Sequence, residues 1–192
     1  MAGYLDVSVT YTPRLTRGEQ QLAALPSRLR NLRAVVEQGI APLAIAMIER
    51  HKESQGAAFG HPWAALAPST IAQRLRRGTL ENGILDDTGH LFRAIFESLA
   101  NGQRIQPSRG GYRLDLGSAG ISDPIEAMKF RVHFRGIDGR MPARQPVPSP
   151  LPRSFRDACR QVVHDFIATG RLRGAGGQFV AFGTTGAAGA VQ

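Results

Sequence analysis

Asp86, Asp87, Thr88 and His90 crowd into five consecutive positions of the stretch GILDDTGHLFRAIF, residues 83–96. Carboxylate, hydroxyl and imidazole are the groups from which nucleophilic and acid–base sites are assembled. A local metal site or nucleophile motif needs more than the right types; it needs spacing. The five histidines, His51, His61, His90, His133 and His164, include no HxH or HxxxH pair, and none adjoins the single cysteine, Cys159. There is no GxSxG elbow, no phosphate-binding Walker loop and no GxGxxG after a strand; the late GAGG lacks a strand and helix around it. The expectation is therefore a protein with no metal, no cofactor and no catalytic role.

The elements around these residues give them a plainer task. Leu91, Phe92, Ile95, Phe96 and Leu99 share one face at helical spacing. Asp86, Asp87 and Thr88 stand just ahead, where side-chain oxygens can cap free N–H groups and carboxylates face the positive end of the helix. Gly89, a poor helix former in the first turn, suggests that another backbone packs close. His90 falls on the polar face with Arg93 and Glu97.

Upstream, YLDVSVTY (residues 4–11) alternates as a half-buried strand. Leu22, Leu25, Leu29, Leu32, Val36 and Leu43 form a stripe predicting a long helix to about Glu53, bent or interrupted by Gly39 and Pro42. Trp63, the only tryptophan, sits in a loop that it should anchor to the body, with a partner contact as the alternative. Ser69 or Thr70 is placed to cap a short helix. Downstream, QRIQPS, GYRLDLG and AMKFRVHFRG read as short strands, the last from the alternation of Met128, Phe130, Val132 and Phe134. Five prolines from Pro142 to Pro152 exclude a central strand there. Phe155, Cys159, Val162, Val163 and Phe166 define a final amphipathic helix stopping at Gly170, with Cys159 as a core residue.

The expected fold class is α+β: small antiparallel sheets packed with a long N-terminal helix, a middle helix and a C-terminal amphipathic helix. Residues 1–169 form one domain, and residues 170–192 a Gly/Ala-rich arm suited to adding a strand to a partner. One cysteine excludes an internal disulfide. No apolar run is long enough to span a membrane, and the N-terminus lacks the pattern of a secretory signal, so no membrane partner is expected. Net charge is +9, with 22 of the 24 cations arginine. That balance admits a nucleic-acid partner, although the cations are scattered and the densest group is Arg74, Arg76 and Arg77.

The order of segments resembles the phage virion morphogenesis family, the tail-completion proteins of Mu-like and related tailed phages. A long helix leads to Phe59, Gly60, Trp63, Leu66, Pro68, Ser69 and Thr70; ILDDTGHLFRAI carries Asp87, Thr88, Gly89 and Leu91; VHFRG carries His133 and Gly136; MPARQP spans Met141 to Pro146. The resemblance covers roughly residues 20 to 168. The chain departs from it at Ala94, where serine is usual, at Phe134–Arg135–Gly136, at the inserted Gln145, and at VPSPLP. It implies a virion protein of the neck or head-proximal tail, assembled in the host cytoplasm. Copies form a ring, usually sixfold, that contacts connector and tail-tube proteins and passing DNA. Met141, Pro142, Arg144, Phe179 and Phe182 are the candidate interface residues.

Overall fold

The computed structural model describes residues 4–8, 25–26, 28–109, 111–173 and 179–180. Its long helical passage opens with α1 (Leu32–Val35), loosens into one π turn (Val36–Ile40) and continues as α2 (Ala41–Glu53). Gly39 and Pro42 do not stop it: wider π hydrogen bonding just ahead of Pro42 absorbs the missing donor. Gly39 serves packing, since a Cβ there would lie 2.6 Å from Val162 Cγ1 on the last helix. Leu29 faces water, while Leu32, Val35, Val36 and Ile40 are buried; Leu22 lies outside the described residues.

A peripheral helix, α3 (Pro68–Arg77), follows the Trp63 loop. It starts from Ala67 with Pro68 in its first turn and makes no side-chain cap bond, so Ser69 and Thr70 are not its caps. Then come α4 (His90–Ala100), β2 (Ile105–Ser108) and β3 (Gly111–Asp115). The N-terminal strand β1 (Tyr4–Ser8) pairs antiparallel with β3, giving the order β1-β3-β2. Pro107 sits in β2, an outer strand of this sheet, where a missing N–H is tolerated.

The segment containing AMKFRVHF is a helix, not a strand: α5 runs Pro124–Arg135. Asp123 Oδ1 accepts from the N–H groups of Ile125 and Glu126, and Pro124 occupies the first turn. With that start fixed, Ala127 and Phe130 enter the core and Phe134 packs against it, its ring stacked on Phe130. Met128, which alternation grouped with Phe130, is 52 % exposed. The final helix α6 (Arg153–Thr169) ends at Gly170, and Cys159 is buried in the core.

The main core joins the π turn and α2 (Val36, Ile40, Ala44, Ile48) to α4, the sheet, α5 and α6. A smaller cluster closes the other end: Leu32, Val35, Phe166 and Leu172. Leu172 belongs to β4 (Leu172–Arg173), which pairs with β5 (Phe179–Val180). The arm expected from residue 170 onward is thus anchored at its first residues by a buried leucine. Phe182 lies outside the described residues.

Candidate functional site

Segments far apart in sequence meet at one junction. Trp63, buried to 8 % exposure, donates from Nε1 to the carbonyl of Gln145 at 3.0 Å. The fully buried His51 contacts the same oxygen through Nε2 at 2.9 Å and meets the Trp63 ring edge-on. Because a carbonyl only accepts, Nε2 of His51 carries the proton. The proline-rich loop carrying Gln145 thus supplies the acceptor that holds Trp63. The tryptophan anchors its loop, as its position implied.

Arg144 sits next door. Its Nε donates to Ala64 O at 2.8 Å and a terminal nitrogen to Ala65 O at 2.6 Å, while its own N–H reaches His133 O at 2.7 Å. It is 6 % exposed, so the interface role expected of it is corrected: the guanidinium is consumed in clamping the Trp63 loop to the end of α5. Gly136 makes the turn below. Its φ is +74°, and a Cβ would come within 2.8 Å of Met141 O and Ala143 N. Met141 is half-buried and Pro142 exposed. Phe179 belongs to β5.

The acids of GILDDTGH do not cap α4. Gly89 is the residue before the helix, in the left-handed conformation at φ +74°, and no side chain caps it. The glycine is required by that conformation, not by close packing, because the nearest atom to a Cβ there is Asp86 Oδ1 at 3.7 Å. Asp86 instead pairs with Lys52 of α2 at 2.6 Å, and Lys52 also lies over the Phe92 ring. Asp87 accepts from Thr79 Oγ1 at 2.7 Å and lies 3.4 Å from Arg74 Nε and 3.5 Å from Arg77. Arg74 donates further to the carbonyls of Asn82, Gly83 and Ile84. The densest arginine cluster is therefore partly internal scaffolding.

These residues frame a cleft of about 280 Å³ between α3, the start of α4 and α5. Thr70, Asp87, Thr88, Gly89, Leu91 and His133 line it, together with Arg74, Glu126 and Lys129. Six of the nine motif residues singled out in the sequence thus share one cleft. Trp63 and Gly136 belong to the supporting junction, and Leu66 is half-buried in the linking loop. Burial, reinforced by the positive charges of Arg144, Lys129 and Arg74, lowers the His133 pKa below the ordinary histidine value. Its Nδ1 is buried without a hydrogen-bond partner among the described residues. No histidine among the described residues hydrogen-bonds a serine, threonine or cysteine side chain. Burial pushes the Cys159 thiol up to about 12, so it stays protonated. No group of three or more His, Cys, Asp or Glu side chains among the described residues is arranged to hold a metal ion.

Sequence reasoning missed three participants. Arg104 is wholly buried. It donates to Ser98 Oγ and to the carbonyls of Asp115 and Gly117, and burial lowers its pKa to about 10 against the opposing pull of Asp115. Glu126 is 4 % exposed and paired with Lys129 at 2.6 Å. His51 completes the Trp63 anchor. Only the Asp123–Pro124 pair, a helix-start signal that fixes the register of Glu126, was readable beforehand. Compared with known families, curated proteins and solved structures, the chain matches none of them.

Proposed function

We propose that the chain is a structural protein of the neck or upper tail of a tailed phage, where copies of it form a ring that completes the tail and joins it to the head. One observation carries the reading. The segments on which the family resemblance rests pack against one another at a junction and an adjoining cleft. The reading needs no catalytic group and no cofactor. Its partners are further copies of the chain, usually six to a ring in the family, and the connector and tail-tube proteins on either side. The protein would be assembled in the host cytoplasm and reside in the virion.

The surface suits such contacts. Ile71 and Leu75 on α3, and Ile125 and Met128 on α5, leave large apolar side chains 40 to 65 % exposed. Removing the gene from the phage that carries it should give filled heads and unjoined or aberrant tails. Normal infectious particles from that mutant would exclude the role.

The charge of +9 favours a second reading, a basic nucleic-acid-binding module. Arg74, Arg104 and Arg144 are buried and hydrogen-bonded inside the chain, which removes three cations from the surface total. Duplex-DNA affinity that falls steeply with salt would support this reading. Negligible binding at low salt would eliminate it.

A further inference from the structure

On α5 one side of the helix faces water. Ile125 and Met128 are 59 % and 52 % exposed there, and Arg131 and Arg135 are exposed further along. At 3.6 residues per turn these four side chains lie within about 60° of Met128, on one face. Neither arginine makes an ion pair among the described residues. The only acid of α5, Glu126, is buried and paired with Lys129. The outward face of α5 is thus apolar in its first half and positive in its second.

A surface of the opposite kind lies elsewhere on the molecule. A cleft of about 330 Å³ opens between α2, the Trp63 loop and α4. Trp63, Phe92 and Phe96 supply its apolar wall, and Phe96 is only partly buried. Glu49 and Glu53, one turn apart on α2, are exposed at its edge. Asp86 and Lys52 also line it, but they pair with each other at 2.6 Å. Three carboxylates against one ammonium leave the cleft at −2, carried by Glu49 and Glu53, which have no ion pair among the described residues. Arg50, exposed between them in sequence, does not line the cleft. No residue of α5 lines it either. The helix α4 packs against both α2 and α5, while those two share no comparable contact, so one copy cannot join the two surfaces itself.

We propose that the exposed face of α5 docks over the α2–α4 cleft of a second copy of this chain. The charges match in number and in spacing. Arg131 and Arg135 are four residues apart, as are Glu49 and Glu53, and that interval sets both pairs about 5–6 Å apart along their helices. Both ion pairs can therefore close together when the helices align. Met128 then brings a thioether to the aromatic wall, a favourable contact for sulfur. Elsewhere a chain of +9 repels its own copies, and this cleft offers them an unpaired negative edge over an apolar wall. Each copy carries both surfaces, so the contact is head-to-tail, the kind that closes into rings. This interface rests on the self-assembly in the proposed function.

Sedimentation velocity of the full chain at low salt tests it. Four proteins are compared: the wild type, Glu49→Arg/Glu53→Arg, Arg131→Glu/Arg135→Glu, and the chain carrying all four substitutions. The wild type is expected to assemble. Each double variant should associate roughly a hundredfold more weakly, because like charges then face each other. Mixing the two double variants, or combining the four substitutions in one chain, should restore assembly. All four residues are exposed, so far-UV circular dichroism should be unchanged. Assembly of a double variant equal to the wild type, or a mixture that stays monomeric, overturns the contact even where rings form. Should a double variant fail to fold, Met128→Asp decides: weakened assembly supports the contact and unaltered assembly overturns it. A monomeric wild type overturns it as well, while unjoined heads and tails on gene removal would still uphold the neck role.

Discussion

Replacing Arg144 with alanine removes the clamp between the Trp63 loop and the end of α5. Two charge-assisted hydrogen bonds are lost, to Ala64 O and Ala65 O. Bonds of this type contribute about 1.5–3 kcal/mol each. Both acceptors belong to exposed residues and regain water, so the net loss is expected near the lower end for the pair, about 2–3 kcal/mol. For a chain of this length that corresponds to a fall in Tm of about 4–12 °C. The single tryptophan reports on the same junction, because Trp63 is held by the carbonyl of the neighbouring Gln145. Urea unfolding followed by tryptophan fluorescence and by far-UV circular dichroism is the assay. Arg144→Ala should lower both midpoints and shift Trp63 emission to the red before the helical signal falls. Arg144→Lys should recover only part of the loss, since a single ammonium lacks the fork that spans two carbonyls. A change below about 0.5 kcal/mol with unaltered emission, the size of an ordinary surface substitution, would refute the clamp.

Other substitutions probe separate parts of the structure. Gly39→Ala should be destabilising by about 1–3 kcal/mol, although glycine to alanine in a helix normally gains about 1 kcal/mol, because the new methyl meets Val162 at 2.6 Å; a stabilised variant in thermal unfolding would contradict the packing. Both His51 and His133 have lowered pKa values, mainly from burial, so the unfolded chain binds more protons than the folded one as pH falls below 6.5. Stability should therefore be fully present above that value and decline toward pH 5, with a shallower decline in His133→Asn; a urea midpoint that rises on acidification would reverse the sign. Cys159 should react with a thiol reagent only at the rate of global unfolding, because its thiol is buried and raised to about 12; rapid labelling of the folded protein would show an open route to it.

Much of this fold is written in simple periodicity. The α4 face buries Leu91, Phe92, Ile95 and Leu99 with Phe96 partly buried, the α6 face buries Phe155, Cys159 and Phe166 with Val162 and Val163 partly buried, and β3 buries Leu114 but leaves Tyr112 only partly covered. The strand expected around Phe130 failed for a physical reason. Phe130 and Phe134 satisfy both a period of two and a spacing of i, i+4, so alternation alone could not separate strand from helix. The Asp123–Pro124 start could have decided it. The acids at positions 86 and 87 illustrate a different limit. Their types suit a helix cap, but Lys52 and Arg74 offer charge partners from other helices, and Gly89 takes the position before α4. Which arginines are internal was not legible at all. Arg74, Arg104 and Arg144 look like any of the others in sequence, and only the fold brings carbonyl oxygens around their guanidiniums.

The most direct measurement of the proposed role is an image of intact particles at a resolution that separates the proteins of the neck, with this chain labelled. A ring of copies between the head connector and the tail tube, its symmetry matching the tube, is the expected result. Particles that carry the protein elsewhere, or that lack it while head and tail are joined normally, would contradict the assignment.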